Sequence, residues 1–578
     1  MMKMRMSEVF AKEVAGRKSR LRRFYREEDG SLIVMSLFLL VAMMIFTGIA
    51  IDLERGEERR TVIQATLDRA TLAAADLDQS MPPAEVVNDY MKKAGLSYLD
   101  VVPVVEEGEH GEYRRVTAQV TDHMPTMFGA LTHMDSVASN SKSQAVESIG
   151  NVEVSMVLDV SGSMGQRDSN SSSNKSKIQS LRTAADSFVD DLFEKVQPPS
   201  APEGRLSISI VPYNQQVSIG DDLAKIYNLS DDHTQNTCVD VETLDFNDLA
   251  ISTTDTLPRT MFGSGRSSNE TTSSYSSSQN CWKRNYSSVM AFQNDKTELK
   301  NKINSLGASG NTSIDIGAKW GLALLDPSAQ PVAEQLAKDD LIDNSVDNRP
   351  FDYPTPDTPV KDTSLKVMIL MTDGENTSTY STKMAYRTGY SDFFSTYSGS
   401  SNAISTYGTP WEKLYWRSKQ REDEGRSDIY YRFKTKKWMS ENDIVGSKNN
   451  TTLHHLTWQN VWGGKRNLKW IAKKFLAPAN YKLNSSRSEY SWYSKLVNEM
   501  AVQDTSSLQD ANLAKACTAA KAKGIKIFTI ALSAPTRSKN LLASCSSGPT
   551  YAYVAGTSDL TDTFASISSA ISSLRLTN

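Results

Sequence analysis

Residues Val152–Met164 read VEVSMVLDVSGSM. An apolar run of strand length ends in Asp159, Ser161 and Ser163 follow at alternate positions, and Gly162 supplies a tight turn. An aspartate and two hydroxyls at the carboxyl end of a strand gather hard oxygen donors, as a divalent cation such as Mg2+ requires. In a serine-rich chain Asp-x-Ser-x-Ser carries little weight alone. The missing donors must come from elsewhere.

Working outward, Ile178, Leu181, Ala185, Phe188, Leu192 and Val196 recur at helical spacing. Leu206–Val211 (LSISIV) reads as a strand. Thr312–Leu325 reads as a helix with Ile316, Trp320, Ala323 and Leu324 on one face. Leu365–Met371 (LKVMILM) is nearly continuous apolar, as expected of a strand covered on both faces. An alanine-rich helix over Leu508–Lys523, strands over Ile525–Leu532 and Thr550–Val554, and a helix over Asp559–Leu574 complete the series. This alternation predicts an α/β fold with a doubly wound, mostly parallel sheet, in which ligand sites gather at the carboxyl ends of the strands. Thr372-Asp373-Gly374-Glu375 directly follows the LKVMILM strand, and Gly310-Asn311-Thr312 opens a helix. Asp159, Ser161, Ser163, Thr312 and Asp373 therefore form a set of oxygen donors expected at one sheet edge.

This order of motifs resembles the von Willebrand factor A (vWA) family and its metal-ion-dependent adhesion site. The resemblance covers about 150–215, 300–380 and 505–575, and places a vWA domain over 150–578 with insertions at about 213–300 and 380–500. It implies metal bound through the hydroxyls of Ser161, Ser163 and Thr312, with Asp159 and Asp373 helping directly or through water. Mg2+ is the first expectation, Mn2+ or Ca2+ the alternatives. Mg2+ takes six oxygens, and neutral hydroxyls leave it short of negative charge, so an acidic residue of a protein partner is drawn to it.

Ser31–Ile51 (SLIVMSLFLLVAMMIFTGIAI) holds no charge and as a helix would run about 31 Å, the thickness of a bilayer core. Arg17, Lys18, Arg20, Arg22, Arg23 and Arg26 precede it, so the positive-inside rule puts residues 1–30 in the cytoplasm and the rest outside. The expectation is a single-pass protein of the inner (cytoplasmic) membrane, its bulk periplasmic or extracellular. A cleaved signal peptide, with Gly48-x-Ala50 as its site, is the rival; the run is longer than a usual signal h-region. A buried soluble helix is disfavoured because the run has no polar face.

Residues 52–148 read as a stalk and a small α+β module. A helix runs from Asp52 to Gln79, ended by Pro82-Pro83, and a short one spans Ala84–Lys93. A strand pair follows around Val101–Val105 and Tyr113–Val120, joined through Gly108 and Gly111. His110, His123 and His133 are scattered and suggest no ligand set. Arg22-Arg23-Phe24, Asp29-Gly30-Ser31, Ile51-Asp52-Leu53 and the run Leu67–Ala75 (LDRATLAAA) resemble the N-terminal part of TadG-like proteins of tight-adherence (Tad/Flp) pilus assembly. The resemblance implies pilus assembly components as partners. Met35 stands where pilin-like relatives carry a glutamate, which argues for a retained anchor.

The formal net charge of −4 gives no reason to expect nucleic acid. Four cysteines outside the cytoplasm suggest disulfides, with Cys238–Cys281 and Cys517–Cys545 as the favoured pairs and four free thiols as the alternative. The second insertion holds most of the nine tryptophans. Its aromatics read first as a small core of its own and second as a face for glycans or nucleic acid. His454-His455 cannot face one way on a regular element. No Gly-x-Ser-x-Gly, His-Glu-x-x-His or phosphate loop is present. The expectation is a non-enzymatic, membrane-anchored binding protein of pilus assembly or surface adhesion; a metal-dependent hydrolase and a structural envelope protein are the alternatives.

Overall fold

The computed structural model describes residues 29–76, 79, 81–107, 113–129, 134–148, 150–168, 175–199, 201–232, 236–261, 281, 287–355, 363–396, 413–446, 451–462 and 468–577. The basic stretch before residue 27, the Gly108 and Gly111 turn, His110, His133 and the Ser264–Asn280 tract lie outside them. The chain divides into two compact units at Ser148/Ile149.

In the first unit one helix, α1, runs over Asp29–Ala75. Among the described residues it is the one helix long and apolar enough to cross a membrane. Leu32, Phe38 and Phe46 stand exposed on it, as side chains facing lipid would. Past Asp52 the same helix becomes amphipathic: Ile63, Leu67, Ala70 and Ala74, spaced by three and four, are fully buried. They pack against Val86, Val87 and Met91 of α2 (Pro83–Lys93). Strands β1 (Val104–Glu107), β2 (Tyr113–Pro125) and β3 (Ser136–Ser148) form an antiparallel sheet, and Val116, Ala118 and Val120 turn one face of β2 into that core. The expected membrane segment and the expected stalk helix are thus one element.

The second unit begins with β4 (Asn151–Asp159), α3 (Lys177–Val196), β5 (Leu206–Tyr213), β6 (Met290–Gln293), α4 (Lys296–Ser305), α5 (Ile314–Ala323) and β7 (Ser364–Thr372). Then come β8 (Thr379–Thr382), β9 (Tyr390–Ser395), β10 (Leu414–Arg417), β11 (Tyr430–Arg432), β12 (Lys437–Met439), β13 (His454–Thr457) and β14 (Ala501–Asp504). It closes with α6 (Ser506–Ala522), β15 (Lys526–Leu532), α7 (Thr536–Cys545), β16 (Ala552–Ala555) and α8 (Leu560–Thr577). The main sheet has the order β16-β15-β7-β4-β5-β6, parallel except for the antiparallel edge strand β6.

Strands β4, β7 and β15 are buried along almost their whole length, the reason they read as continuous apolar runs. Alternate residues serve opposite faces. Met156 and Leu158 pack with Phe188 of α3 and Phe564 of α8, while Val157 packs with α5 and Leu513 of α6. Helix α5 lies close to the sheet, since a Cβ on Gly321 would come within 2.2 Å of Val157 Cγ2.

Insertions leave this frame at β5 and β8. The second builds a five-stranded antiparallel sheet, β12-β11-β10-β9-β13, and its aromatic residues mostly serve its own core: Phe393, Tyr431, Phe433, Trp458 and Phe475 pack together. His455 stacks on Phe394 and Tyr390 and bonds the Ser391 carbonyl through Nε2 at 2.6 Å. Arg387 joins the two insertions, its guanidinium bonding Asp232 and Asp240, each at 2.6 Å. Both favoured disulfides are formed, Cys238–Cys281 and Cys517–Cys545, with Cα separations of 6.1 and 5.2 Å.

Candidate metal centre

Parallel pairing in register brings the strand ends together. Leu158 lies opposite Met371, so Asp159 at the end of β4 and Thr372-Asp373 at the end of β7 emerge side by side. Asp159 Oδ1 accepts the Ser161 N–H at 2.7 Å, folding the chain back as an Asx turn, and its Oδ2 accepts the Thr372 hydroxyl at 2.7 Å. A short 3₁₀ turn over Gly162–Gly165 then sets Ser161 and Ser163 with their hydroxyl oxygens 3.0 Å apart. Ser163 donates to Asp373 Oδ1 at 2.6 Å.

The third segment is pinned from several sides. Gly162 N–H donates to the Gly310 carbonyl at 2.9 Å and Ser309 N–H to the Val160 carbonyl at 2.8 Å. Asn214, just past β5, donates its side-chain amide to the Ser309 carbonyl at 3.1 Å and accepts the Ser313 N–H on its own carbonyl at 2.8 Å. Gly310 has a φ of +85°, and any Cβ there would sit 2.8 Å from Asn214 Nδ2, so glycine is required. Thr312 lies on this loop, two residues before α5 begins; the expected helix start at Thr312 was too early. Its carbonyl accepts the Thr377 N–H at 2.8 Å, which ties it to the loop after Asp373.

Gly374 marks where the hydroxyls converge. A Cβ on it would lie 3.5 Å from Thr312 Oγ1 and 3.7 Å from Ser163 Oγ, so both oxygens border the small space that glycine leaves open. The structure therefore gathers all five expected residues at the carboxyl edge of β4 and β7. Asp159, Ser161, Thr312 and Asp373 are buried and Ser163 is half-buried. The donors are all oxygen, two carboxylates and three hydroxyls, the kind of set a hard divalent cation takes. Burial, and then the Asp373 charge, pushes the Asp159 carboxyl up to about 7. Burial also raises the Tyr213 phenol, which donates to the Met371 carbonyl at 2.9 Å.

Three participants escaped the sequence reading. Thr372 orients Asp159; its position beside Asp373 was the available signal. Lys177, at the start of α3, pairs with Asp373 Oδ2 at 2.9 Å, and nothing local in the sequence points to it. Ser538 of α7 donates to the Gly374 carbonyl at 2.7 Å and holds that loop from behind.

Residues 30–77 match the family model described as putative Flp pilus-assembly TadE/G-like. No curated protein matches the chain. Among solved structures, the pilus adhesin SpaC from Lactobacillus rhamnosus GG in its open conformation is similar over 82% of this chain and 34% of that one, at 9% identity and a TM-score of 0.27. The chain thus spans about a third of SpaC. The vWF domain of the type V pili tip protein Mfa5 from Porphyromonas gingivalis is similar over 74% of this chain and 96% of that one, at 15% identity and a TM-score of 0.29.

Proposed function

We propose that the second unit is a doubly wound vWA domain, carried outside the inner membrane by α1, that grips an acidic residue of a protein partner through a divalent cation. Ser161, Ser163 and Thr312 would hold Mg2+ through their hydroxyls, with Asp159 and Asp373 acting directly or through water. When bound, the cation supplies an open coordination position that a Glu or Asp carboxylate of the partner fills. The protein's own part is to hold the hydroxyls fixed: the Asx turn at Asp159, the Ser163–Asp373 bond and the Asn214-pinned loop before α5 do this. The reading involves no catalytic step. The TadE/G-like match over residues 30–77 points to pilus assembly or surface adhesion as the setting.

The observation that carries the reading is the convergence of Thr312 and Ser163 beside Gly374 and Asp373. Calorimetry of the full chain in detergent tests it. The wild type should bind Mg2+ or Mn2+ and Asp159→Ala should lose at least tenfold in affinity; equal affinity would reject the site. In membranes, a partner captured on the wild type should be released by chelator.

A further inference from the structure

A second pair of acids lies behind the edge site, and no salt bridge to either is found among the described residues. Asp315, in the first turn of α5, is 0% exposed, and Asp504, the last residue of β14, is 4% exposed. No oxygen of either carboxylate has a hydrogen-bond partner of good geometry among the described residues; the Ile316 N–H and the Asn512 side chain lie near Asp315 and the Gln509 side chain near Asp504, each partly favouring the ionised form. Burial, and then the Asp504 charge, drives the Asp315 carboxyl well above the ordinary range. Two like charges left bare in a protein interior are costly unless a cation or a proton joins them.

Three further side chains border the same place. Asp504 lies directly opposite Thr379 on the antiparallel β8–β14 ladder, so their side chains share one face. Thr379 is 0% exposed, and its hydroxyl has no partner among the described residues. Gln509, on the first turn of α6, approaches the Asp504 carboxylate. Its amide nitrogen is committed elsewhere, to Ser313 Oγ at 3.0 Å and the Thr377 carbonyl at 3.2 Å, which leaves its fully buried Oε1 without a partner. Asn512, one turn further along α6, approaches Asp315.

We propose that Asp315, Asp504, Thr379 Oγ1 and Gln509 Oε1 bind a second, structural cation, and that this cation is Ca2+. The donors are all hard oxygens and two carboxylates match its charge. The choice of Ca2+ follows from burial. Mg2+ keeps several waters and dehydrates reluctantly, whereas Ca2+ accepts six to eight protein oxygens in irregular geometry. The ion would rivet three elements: α5, whose leading loop carries Thr312; the β8–β14 ladder, where the aromatic insertion leaves and rejoins the frame; and α6. This site is independent of the edge site and does not require it to bind metal.

The test is Ca2+ binding to the chelator-stripped full chain in detergent, by equilibrium dialysis, on wild type, Asp159→Ala and Asp504→Asn. The expected result is a Ca2+ equivalent that Asp159→Ala retains and Asp504→Asn loses. Ca2+ binding that is absent in the wild type, or undiminished in Asp504→Asn, overturns the proposal and leaves the acids sharing a proton. Should Asp504→Asn fail to fold, thermal unfolding of Asp159→Ala decides. A Ca2+-induced rise of several degrees in Tm supports the second site, and an unmoved Tm overturns it.

Discussion

The two ends of β4 carry carboxylates in opposite circumstances. Glu153, near the amino end, sits on the rung opposite Lys366 of β7. Lys366 Nζ reaches it at 2.6 Å, Arg349 Nη1 at 3.5 Å and the Phe351 N–H at 2.8 Å, and all three charged side chains are buried. Asp159, at the carboxyl end, is met by uncharged donors, the Ser161 N–H and the Thr372 hydroxyl, and lies beside a second acid, Asp373. Lys177 pairs with that second acid from a half-buried position. Where cations outnumber acids, the cluster is complete in itself. Where acids outnumber cations, a carboxyl is pushed up instead, as Asp159 is by burial and the Asp373 charge. Arg387 is the intermediate case, with one guanidinium serving Asp232 and Asp240.

Lys366→Met should break the closed end. It strands Glu153 in the interior with Arg349 at 3.5 Å as its remaining cation. Removing one partner of a buried ion pair costs about 3–5 kcal/mol, and the second partner puts the expected loss near the lower figure. Urea unfolding of the variant against wild type measures it. A loss below about 1 kcal/mol would show that the trio is redundant and that charge closure is not what separates the two ends.

The intermediate cluster gives a pH-dependent test. Burial pushes the Asp240 carboxyl up to about 6, with Arg387 pulling against it less strongly. Because the folded value stands above the unfolded 3.8, the fold favours the protonated form. That contribution is full below pH 4 and is lost as pH rises through 6. Asp240→Asn removes the titration, so the variant should gain on the wild type by on the order of 2 kcal/mol between pH 4 and pH 7. Thermal midpoints at the two pH values check it. A difference that stays flat with pH would mean that Arg387 keeps Asp240 ionised throughout, and the cluster would rank with that of Glu153.

The same contrast explains what could be read from residues alone. The edge site was legible because each of its parts abuts a recognisable element: Asp159 and Asp373 directly follow apolar strands, and Thr312 directly precedes a helix. Parallel register then does the assembly. The helix start was misjudged by two residues because Thr312-Ser313 belongs to a loop held by Asn214, a contact distant in sequence. Strand β3, SVASNSKSQAVES, was missed altogether, since it is largely polar and its pairing with β2 supplies what its side chains do not. Lys177 and the Asp315–Asp504 pair were equally silent. Each depends on two elements meeting, and neither element carries a local sign of the other.

Lys177 offers the finest test of the open end. Its ammonium occupies one oxygen of Asp373 while Ser163 occupies the other, so Lys177 balances part of the negative charge of the Asp159–Asp373 pair. A cation arriving at Asp373 must share that carboxylate with it. Lys177→Met removes the competitor and should tighten Mg2+ binding by about fivefold or more, on the order of 1 kcal/mol, because the pair is largely buried, its side chains 12% and 0% exposed. Calorimetric titration of variant and wild type at one ionic strength reads the change directly. A weaker affinity instead would mean that Lys177 orients Asp373 for the metal, and that the open end is partly preassembled by the cation that competes for its carboxylate.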